Sequence, residues 1–201
     1  MEIQLTNELK QAISKLKQSR LSSSKNKEDL TLAITEEFFK QHDIEYLEVP
    51  YKNSQIQKFK GDYIIFDNEK KDTLSVEVKV SSFFRKTQSD VLAFDMRYLK
   101  KGTKEPYIQK GATDNKGWCY YLNADILIAI NFISMKFYLI SDFKRLREKI
   151  FEHLNNKTYT EHGIAIARNK CDKCKDTVIA SVDLKNIKKN LGIDVLIIDL
   201  V

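Results

Sequence analysis

The sequence predicts an α/β fold in a single domain. Segments with helical spacing of apolar residues alternate with short apolar runs of strand character, and a β-hairpin lies between them at residues 61–80. A chain of 201 residues is long enough for one domain with a sizeable core. We divide it into an N-terminal amphipathic helix with a linker, residues 1–27, and one domain with a C-terminal α/β extension, residues 28–201.

The composition is that of an ordinary soluble protein with an excess of positive charge. Hydrophobic residues make up 42% of the chain and charged residues 31%. The net charge of +6 and a pI near 9.0 favour an anionic partner such as nucleic acid. No apolar run is long enough to span a bilayer, and the first ten residues do not resemble a signal peptide, so we expect a cytoplasmic protein without membrane contact.

Two helices are predicted before the hairpin. Residues 3–20 carry apolar side chains at helical spacing, and the polar residues 22–27 are typical of a flexible linker. Residues 28–42 form the second predicted helix, and Glu37 falls within its apolar arc. A carboxylate there either has a partner at a functional site or lies at the edge of the buried stripe and reaches solvent.

The hairpin itself follows a short strand and a polar loop. Residues 44–49 alternate as a strand, and the loop 51–60 contains several lysines that could contact phosphates. Two apolar runs, 63–66 and 74–80, are then joined by the charged turn 67–72, as in a β-hairpin.

Three polar residues of this hairpin are not explained by packing. Asp62 precedes the first strand, while Glu77 and Lys79 alternate with valines on the second and therefore share a face. Two close carboxylates repel unless a cation lies between them, and oxygen ligands without His or Cys suit a hard ion such as Mg²⁺. A neighbouring lysine can orient or help deprotonate a water, or stabilise charge on a phosphate. This combination is typical of phosphodiester hydrolysis.

These residues resemble a known family. Asp62, a gap of fourteen residues and Glu77-Val78-Lys79 are similar to the D…(D/E)-x-K signature of the PD-(D/E)XK nuclease superfamily, with Gly61 in place of the usual proline. The resemblance implies a restriction-endonuclease-like αβββαβ core with a mixed central sheet flanked by helices. It also implies binding of Mg²⁺ or Mn²⁺ by Asp62 and Glu77, and cleavage of DNA or, less often, RNA. The competing interpretation is a solvated hairpin whose outer face carries these charges.

A third acid often joins the metal site in this family. It comes from the first core helix, and Glu37 is the candidate for that metal-binding and catalytic role, with Glu28 and Glu36 as alternatives.

The segment after the hairpin combines basic and aromatic residues. Such a surface can neutralise phosphates and stack on unpaired bases. A further strand is predicted at residues 91–98, and this region resembles a phage-associated branch of these nucleases in the Gly117-Trp118 and 124–127 segments, although Thr87-Gln88-Ser89 stands where Thr-Gly-Asn is usual. The residues that we predict to bind nucleic acid are Lys58, Lys60, Arg85, Lys86 and Arg97.

The remaining chain is predicted to continue the α/β pattern. Ser141 and Asp142 offer a cap for a helix at 143–154. The other predicted elements are strands at 125–132, 136–140, 164–167, 177–182 and 195–200 and a helix at 184–191. We expect the C-terminal part to pack onto the nuclease-like core.

Other kinds of site find less support. Cys171 and Cys174 have the spacing of half a zinc site, which Cys119 and His162 could complete, but ordinary reduced thiols are the alternative. The histidines have no spacing that pairs them as ligands, and no Walker loop, GxSxG or GxGxxG occurs.

The sequence therefore predicts a Mg²⁺-dependent endonuclease. The resemblance implies a resolvase-like or restriction-like enzyme of phage or mobile-element type, which would commonly act as a homodimer on DNA. The second hypothesis is a module that binds nucleic acid or protein on the same fold without cleaving.

Overall fold

The computed structural model describes residues 2–18, 24–50, 61–68, 70–79, 90–109, 112–156, 163–169 and 175–201. The predicted contacts of Lys58, Lys60, Arg85 and Lys86 lie outside these residues, as do Cys171, Cys174 and His162.

Within the described residues lie ten strands and five helices. The strands are β1 (Glu2–Ile3), β2 (Tyr46–Glu48), β3 (Tyr63–Asp67), β4 (Asp72–Lys79), β5 (Val91–Lys100), β6 (Ile126–Asn131), β7 (Lys136–Ile140), β8 (Ile164–Asn169), β9 (Lys175–Asp183) and β10 (Val195–Leu200). The helices are α1 (Asn7–Gln18), α2 (Ser24–Gln41), α3 (Trp118–Tyr121), α4 (Phe143–Asn156) and α5 (Leu184–Leu191). No helix of the described residues is long and apolar enough to cross a membrane.

The strands form two sheets. The larger has seven strands in the order β1-β10-β7-β6-β4-β3-β2, and the smaller has three in the order β5-β9-β8. The larger sheet is mixed: β4 pairs with β6 and β1 with β10 in parallel, while its other pairs are antiparallel. The smaller sheet is antiparallel throughout.

The seven-stranded sheet is covered on both faces, which explains the continuous apolar run of β6. Its residues Ile126, Ile128 and Ile130 belong to a core with α1 and α2, whereas Leu127 and Ala129 belong to a core with β5, β9, α4 and α5. All six residues of β6 are buried. A strand enclosed on both faces needs apolar residues at every position, because successive side chains point to opposite faces.

The α/β class and the predicted hairpin are confirmed. β3 and β4 pair antiparallel from Tyr63 opposite Val76 to Asp67 opposite Asp72. The predicted helix at 184–191 and strand at 195–200 have the observed bounds, and the Asp142 carboxylate accepts a hydrogen bond from the Arg145 backbone N–H at 3.2 Å near the start of α4.

The N-terminal prediction is corrected in two places. Residues 2–3 form strand β1 beside β10 instead of a helical turn, because Ile3 is buried at the sheet edge and the chain there hydrogen-bonds to the C-terminal strand. Helix α2 begins at Ser24, so residues 24–27 of the predicted linker are helical. Its first turn lacks the apolar spacing that marked the rest, since a helix terminus need not face the core.

The C-terminal strand β10 is part of the larger sheet. β10 lies between β1 and β7, and it completes the sheet instead of packing on its outside. β5, predicted as an added strand, pairs with β9 in the second sheet. The smaller sheet therefore joins a middle segment of the chain to a late one.

Candidate functional site

The end of the hairpin brings Asp62 and Glu77 near each other. The ladder of β3 and β4 ends at Tyr63 opposite Val76; Asp62 precedes Tyr63 and Glu77 follows Val76, and the charge of Asp62 raises the pKa of Glu77. The Asp62 backbone N–H donates to the Val76 carbonyl at 2.8 Å, and the Asp62 carboxylate accepts from the Val78 N–H at 2.8 Å. These two bonds hold Asp62 against β4 just beyond the end of the regular ladder.

Gly61 allows this close approach. Its φ is +76°, and a Cβ at this position would lie 2.4 Å from the Val76 carbonyl oxygen. Both the left-handed backbone and the contact exclude a side chain. A glycine at this position therefore has a local steric reason in this chain.

Glu77 and Lys79 extend from the face of β4 opposite to Val76 and Val78. Their partners on β6, Leu127 and Ala129, belong to the core on the side of the smaller sheet. Glu77 is almost fully buried, with an exposure of 6%, whereas the Lys79 side chain is 34% exposed. The two groups form an ion pair between Lys79 Nζ and Glu77 Oε1.

The surroundings of Glu77 shift its ionisation close to neutral pH. Burial raises the pKa of Glu77 to about 7; the Lys79 ammonium opposes this, while the charges of Asp62 and Glu28 add to it. Burial lowers the pKa of Lys79, but the negative charges of Glu77, Asp62 and Glu28 outweigh this and raise it above its ordinary value. The charges of three carboxylates thus act on one ammonium, with Glu77 in direct contact and Glu28 contributing least.

The structure places the three candidate acids of α2 at different positions. Glu28 acts through its charge on both Glu77 and Lys79. Glu36 accepts a hydrogen bond from the Tyr63 hydroxyl at 3.1 Å. Glu37 accepts from Gln41, whose amide also donates to the Gln4 carbonyl just after β1.

Glu37 is not brought to the pair formed by Asp62 and Glu77. Its hydrogen-bond partner Gln41 also contacts Gln4, next to β1. Strand β1 lies at the opposite edge of the larger sheet from β2 and β3. Glu28 and Glu37 are nine residues apart, and at about 100° per residue they point to opposite sides of the helix. Of the three candidate acids of α2, Glu28 is the one whose charge acts on Glu77 and Lys79.

The smaller sheet supplies residues on the other side of Lys79. The Lys79 ammonium lies over the Trp118 ring, 5.2 Å from its centroid. Burial raises the pKa of Asp95, on β5, and the Tyr98 hydroxyl, Lys175 and Lys79 oppose this shift. The Asp95 carboxylate accepts from the Tyr98 hydroxyl at 3.3 Å. Neither Trp118 nor Asp95 was predicted to take part in the site.

Among the other predicted residues, Arg97 lies exposed on β5, where its backbone forms an isolated antiparallel β-bridge with Lys116. Cys119 is fully buried in the core, and burial raises the pKa of its thiol to about 12, as for an inert structural cysteine.

Asp62 and Glu77 are the side chains suited to hold a divalent cation. Among the described residues, no group of three or more His, Cys, Asp and Glu side chains is arranged to hold a metal by itself. Two carboxylates nonetheless fit Mg²⁺, which usually keeps several waters and is held by one or two carboxylates together with phosphate oxygens of the substrate.

Comparison of the chain with protein-family models, with curated proteins and with solved structures found no match. The resemblance to nucleases accordingly rests on the residues of the site themselves.

Proposed function

We propose that this chain is a Mg²⁺-dependent nuclease of the PD-(D/E)XK type that hydrolyses phosphodiester bonds in DNA. The observation that carries the proposal is the position of Asp62 against β4, where its carboxylate is bonded to the Val78 N–H and its charge acts on Glu77, with the Lys79 ammonium in contact with Glu77. Packing would favour apolar groups at this enclosed place, so the buried charges call for a chemical reason.

The order of elements supports the same proposal. Helix α2 is followed by β2, β3 and β4, and after β5 come the short helix α3 and strand β6, which pairs parallel to β4. Helix, three strands, helix and strand is the order expected for an αβββαβ core. The mixed larger sheet, with α1 and α2 packed against one face, is consistent with a restriction-endonuclease-like fold.

The residues divide the chemistry among them. Asp62 and Glu77 would hold the cation, which when bound polarises the phosphate and lowers the pKa of a water. Lys79 donates hydrogen bonds from its ammonium to the attacking water or to a phosphate oxygen, and so stabilises the negative charge that builds up there. The water oxygen bonds to phosphorus and gives up one proton to solvent, the phosphodiester P–O bond breaks, and the leaving oxygen takes up one proton from solvent.

A nucleic-acid substrate fits the charge of the chain. The net charge of +6 favours a polyanion, and Arg97 on β5 and Lys116, which pairs with it just before α3, are both exposed. A resolvase-like or restriction-like enzyme remains the narrower proposal. A homodimer would allow both strands of a duplex to be cut.

The alternative is a module that binds nucleic acid without cleaving it. Retention of Asp62, Glu77 and Lys79 in contact or in register argues against a site that has lost its chemistry. No comparable observation favours the alternative.

Incubation of the purified protein with supercoiled plasmid, in Mg²⁺ and in EDTA, tests the proposal. We expect nicked or linear DNA in Mg²⁺ alone. The Asp62→Asn variant should be inactive, while Asp72→Asn serves as a matched control because Asp72 is an exposed acid at the other end of the same hairpin. Cleavage that persists unchanged in Asp62→Asn would indicate a contaminating nuclease and would overturn the proposal.

A further inference from the structure

Lys79 has a second partner besides Glu77. Its ammonium lies 5.2 Å from the centre of the Trp118 ring, within the distance at which a cation is attracted to an aromatic face. Trp118 belongs to α3, which packs against the smaller sheet, whereas Lys79 belongs to the larger one. The contact therefore joins the two sheets at the candidate site.

The Trp118 ring is held in place independently of Lys79. Its centroid lies 5.4 Å from that of Phe94, which is fully buried. The preceding Gly117 donates its N–H to the Met96 carbonyl at 2.8 Å, and a Cβ on Gly117 would lie 2.1 Å from the Asp95 carbonyl oxygen. Because the backbone at the start of α3 lies this close to β5, the Trp118 ring has a fixed position beside Lys79.

An irregularity in β5 lies at the same place. The pairing of β5 with β9 shifts between Asp95 and Arg97, which is a β-bulge. Bulges bend a strand and redirect its side chains, and they are frequent beside active sites. Here the bulge coincides with the close approach of Gly117 to the backbone and with Asp95, a further acid on which the charge of Lys79 acts.

We propose that Trp118 is a positioning residue for Lys79, whose ammonium it holds beside Glu77 in the place where it acts on the phosphodiester. This inference rests on the proposed nuclease function. A lysine side chain is long and flexible, and its ion pair with Glu77 weakens when a divalent cation shares the charge of that carboxylate. The ring is uncharged and keeps its attraction for the ammonium, so Lys79 stays at the site when the cation is present.

Trp118 is the sole tryptophan of the chain, so its fluorescence reports on this contact without any need for activity. We compare the emission spectra of the wild type, Lys79→Met and Lys116→Met in the absence of metal. Loss of the charge over the ring in Lys79→Met should change the emission. Lys116→Met is the matched control, because Lys116 lies over the neighbouring Tyr120 ring, 5.7 Å from its centroid, and the emission should stay as in the wild type. Identical spectra for the wild type and Lys79→Met would overturn the proposed contact.

Kinetics of plasmid cleavage then test the role of the contact. Trp118→Leu should lower kcat about five- to thirtyfold with KM unchanged, the range of a desolvated cation–π contact, whereas Trp118→Phe keeps an aromatic face and should retain most of the rate. In a Lys79→Met background, Trp118→Leu should cause no further loss. Tyr120→Leu, on the same short helix, should leave kcat unchanged.

The outcomes separate this inference from the proposed function. An equal loss from Trp118→Leu with and without Lys79 would mean that the ring only supports the fold, and would overturn the positioning role. A wild type that never cleaves would overturn the nuclease proposal and the role within it, while the fluorescence contrast would still decide whether Trp118 holds Lys79. Thermal unfolding of each variant shows whether the fold is kept.

Discussion

Two buried acids, one in each sheet, are surrounded in opposite ways. Asp176 on β9 is fully buried and is matched by donors: it forms an ion pair with Arg168, accepts from Arg168 Nε at 2.7 Å, and accepts from the Gly102 N–H at 3.0 Å. Glu77 on β4 is nearly as buried, but within the part of the chain that the structure describes the charges that raise its pKa are those of the acids Asp62 and Glu28, which Lys79 opposes. The first arrangement stabilises a structure; the second stores negative charge that a cation would relieve.

The Asp176 pair holds a turn. The Arg168 guanidinium also donates to the backbone carbonyls of Lys100 and Thr103, at 3.2 Å and 2.6 Å. Through these bonds β8 and β9 fix the chain just after β5. Glu77 instead forms its ion pair with Lys79 on the same strand. Removing each acid should therefore have opposite consequences for chemistry and for stability.

The largest effect is expected from the acids of the candidate site. Glu77→Gln and Asp62→Asn should each lower the Mg²⁺-dependent cleavage rate by about three orders of magnitude or more. Each variant loses a ligand of the cation, and with the cation goes the stabilisation of the negative charge that develops on the phosphate. The fold should persist, because each amide keeps the size of the acid. Single-turnover kinetics and Mg²⁺ calorimetry measure the losses. Unchanged Mg²⁺ affinity in both variants would contradict the metal assignment.

Loss of the ammonium should have the next largest effect. Lys79→Ala should lower kcat by about two to three orders of magnitude, the usual range for one such group, with little change in nucleic-acid affinity. Lys79→Arg keeps a positive charge but replaces a compact ammonium with a planar fork, so it should restore little of the rate. A Lys79→Ala protein that cleaves at the wild-type rate under saturating substrate and Mg²⁺ would favour the solvated hairpin instead.

Asp176→Asn should show the reverse pattern. Breaking this pair leaves the guanidinium without its carboxylate, and we expect a loss of about 2 to 4 kcal/mol in the free energy of unfolding, measured by denaturant titration. The remaining folded protein should cleave at a near-normal rate. Asp194→Asn is the matched control, since Asp194 forms an exposed ion pair with Lys188 and its loss should have little effect. If Asp176→Asn kept the wild-type free energy of unfolding but lost activity, the contrast between Asp176 and Glu77 would be wrong.

Local pairing explains what the sequence could predict. The alternation of β3 and β4 and their charged turn determine the hairpin register, and that register places Asp62 and Glu77 at the same end of the hairpin. The ion pair of Glu77 with Lys79 follows from their two-residue spacing on one strand face. These parts of the site depend on residues that are close along the chain.

The other parts of the site depend on contacts between distant segments. β5 pairs with β9, far along the chain, and only this sheet brings Trp118 and Asp95 near Lys79. Periodicity indicated the buried side of α2, but the position of this helix over the strands decides whether the charge of Glu28 or that of Glu37 acts on Glu77. A single sequence gives no signal for the bulge at Asp95 or for the close approach of Gly117 to the Asp95 backbone.

The raised pKa of Glu77 should make metal binding depend on pH. Because this pKa is about 7, above the ordinary value of 4.5, the carboxyl holds a proton at mildly acid pH that must leave before the cation binds. The apparent Mg²⁺ affinity should fall by about tenfold for each pH unit below 7 and level off above pH 8. Calorimetry between pH 5.5 and about 8.5 measures this. An affinity that is constant over this range would show that Glu77 is already ionised or does not bind the cation.

The smallest effect is expected from the third acid. Glu28→Gln should weaken Mg²⁺ binding only a few-fold, because Glu28 is exposed and its charge is partly screened by solvent. The measurement belongs near pH 8, where Glu77 is ionised; at lower pH the loss of Glu28 also makes Glu77 easier to ionise, and the two effects oppose each other. High salt should reduce the difference between Glu28→Gln and the wild type.

Glu37→Gln is the control that the helix itself provides. It makes the same change of charge on α2 but on the opposite side, where the acid contacts Gln41. Calorimetry should therefore give wild-type Mg²⁺ affinity for Glu37→Gln and a weaker one for Glu28→Gln. Equal weakening in both would mean that only the net charge of the protein matters. Weakening in Glu37→Gln alone would restore Glu37 as the third acid and would require α2 to turn about its axis when the cation binds.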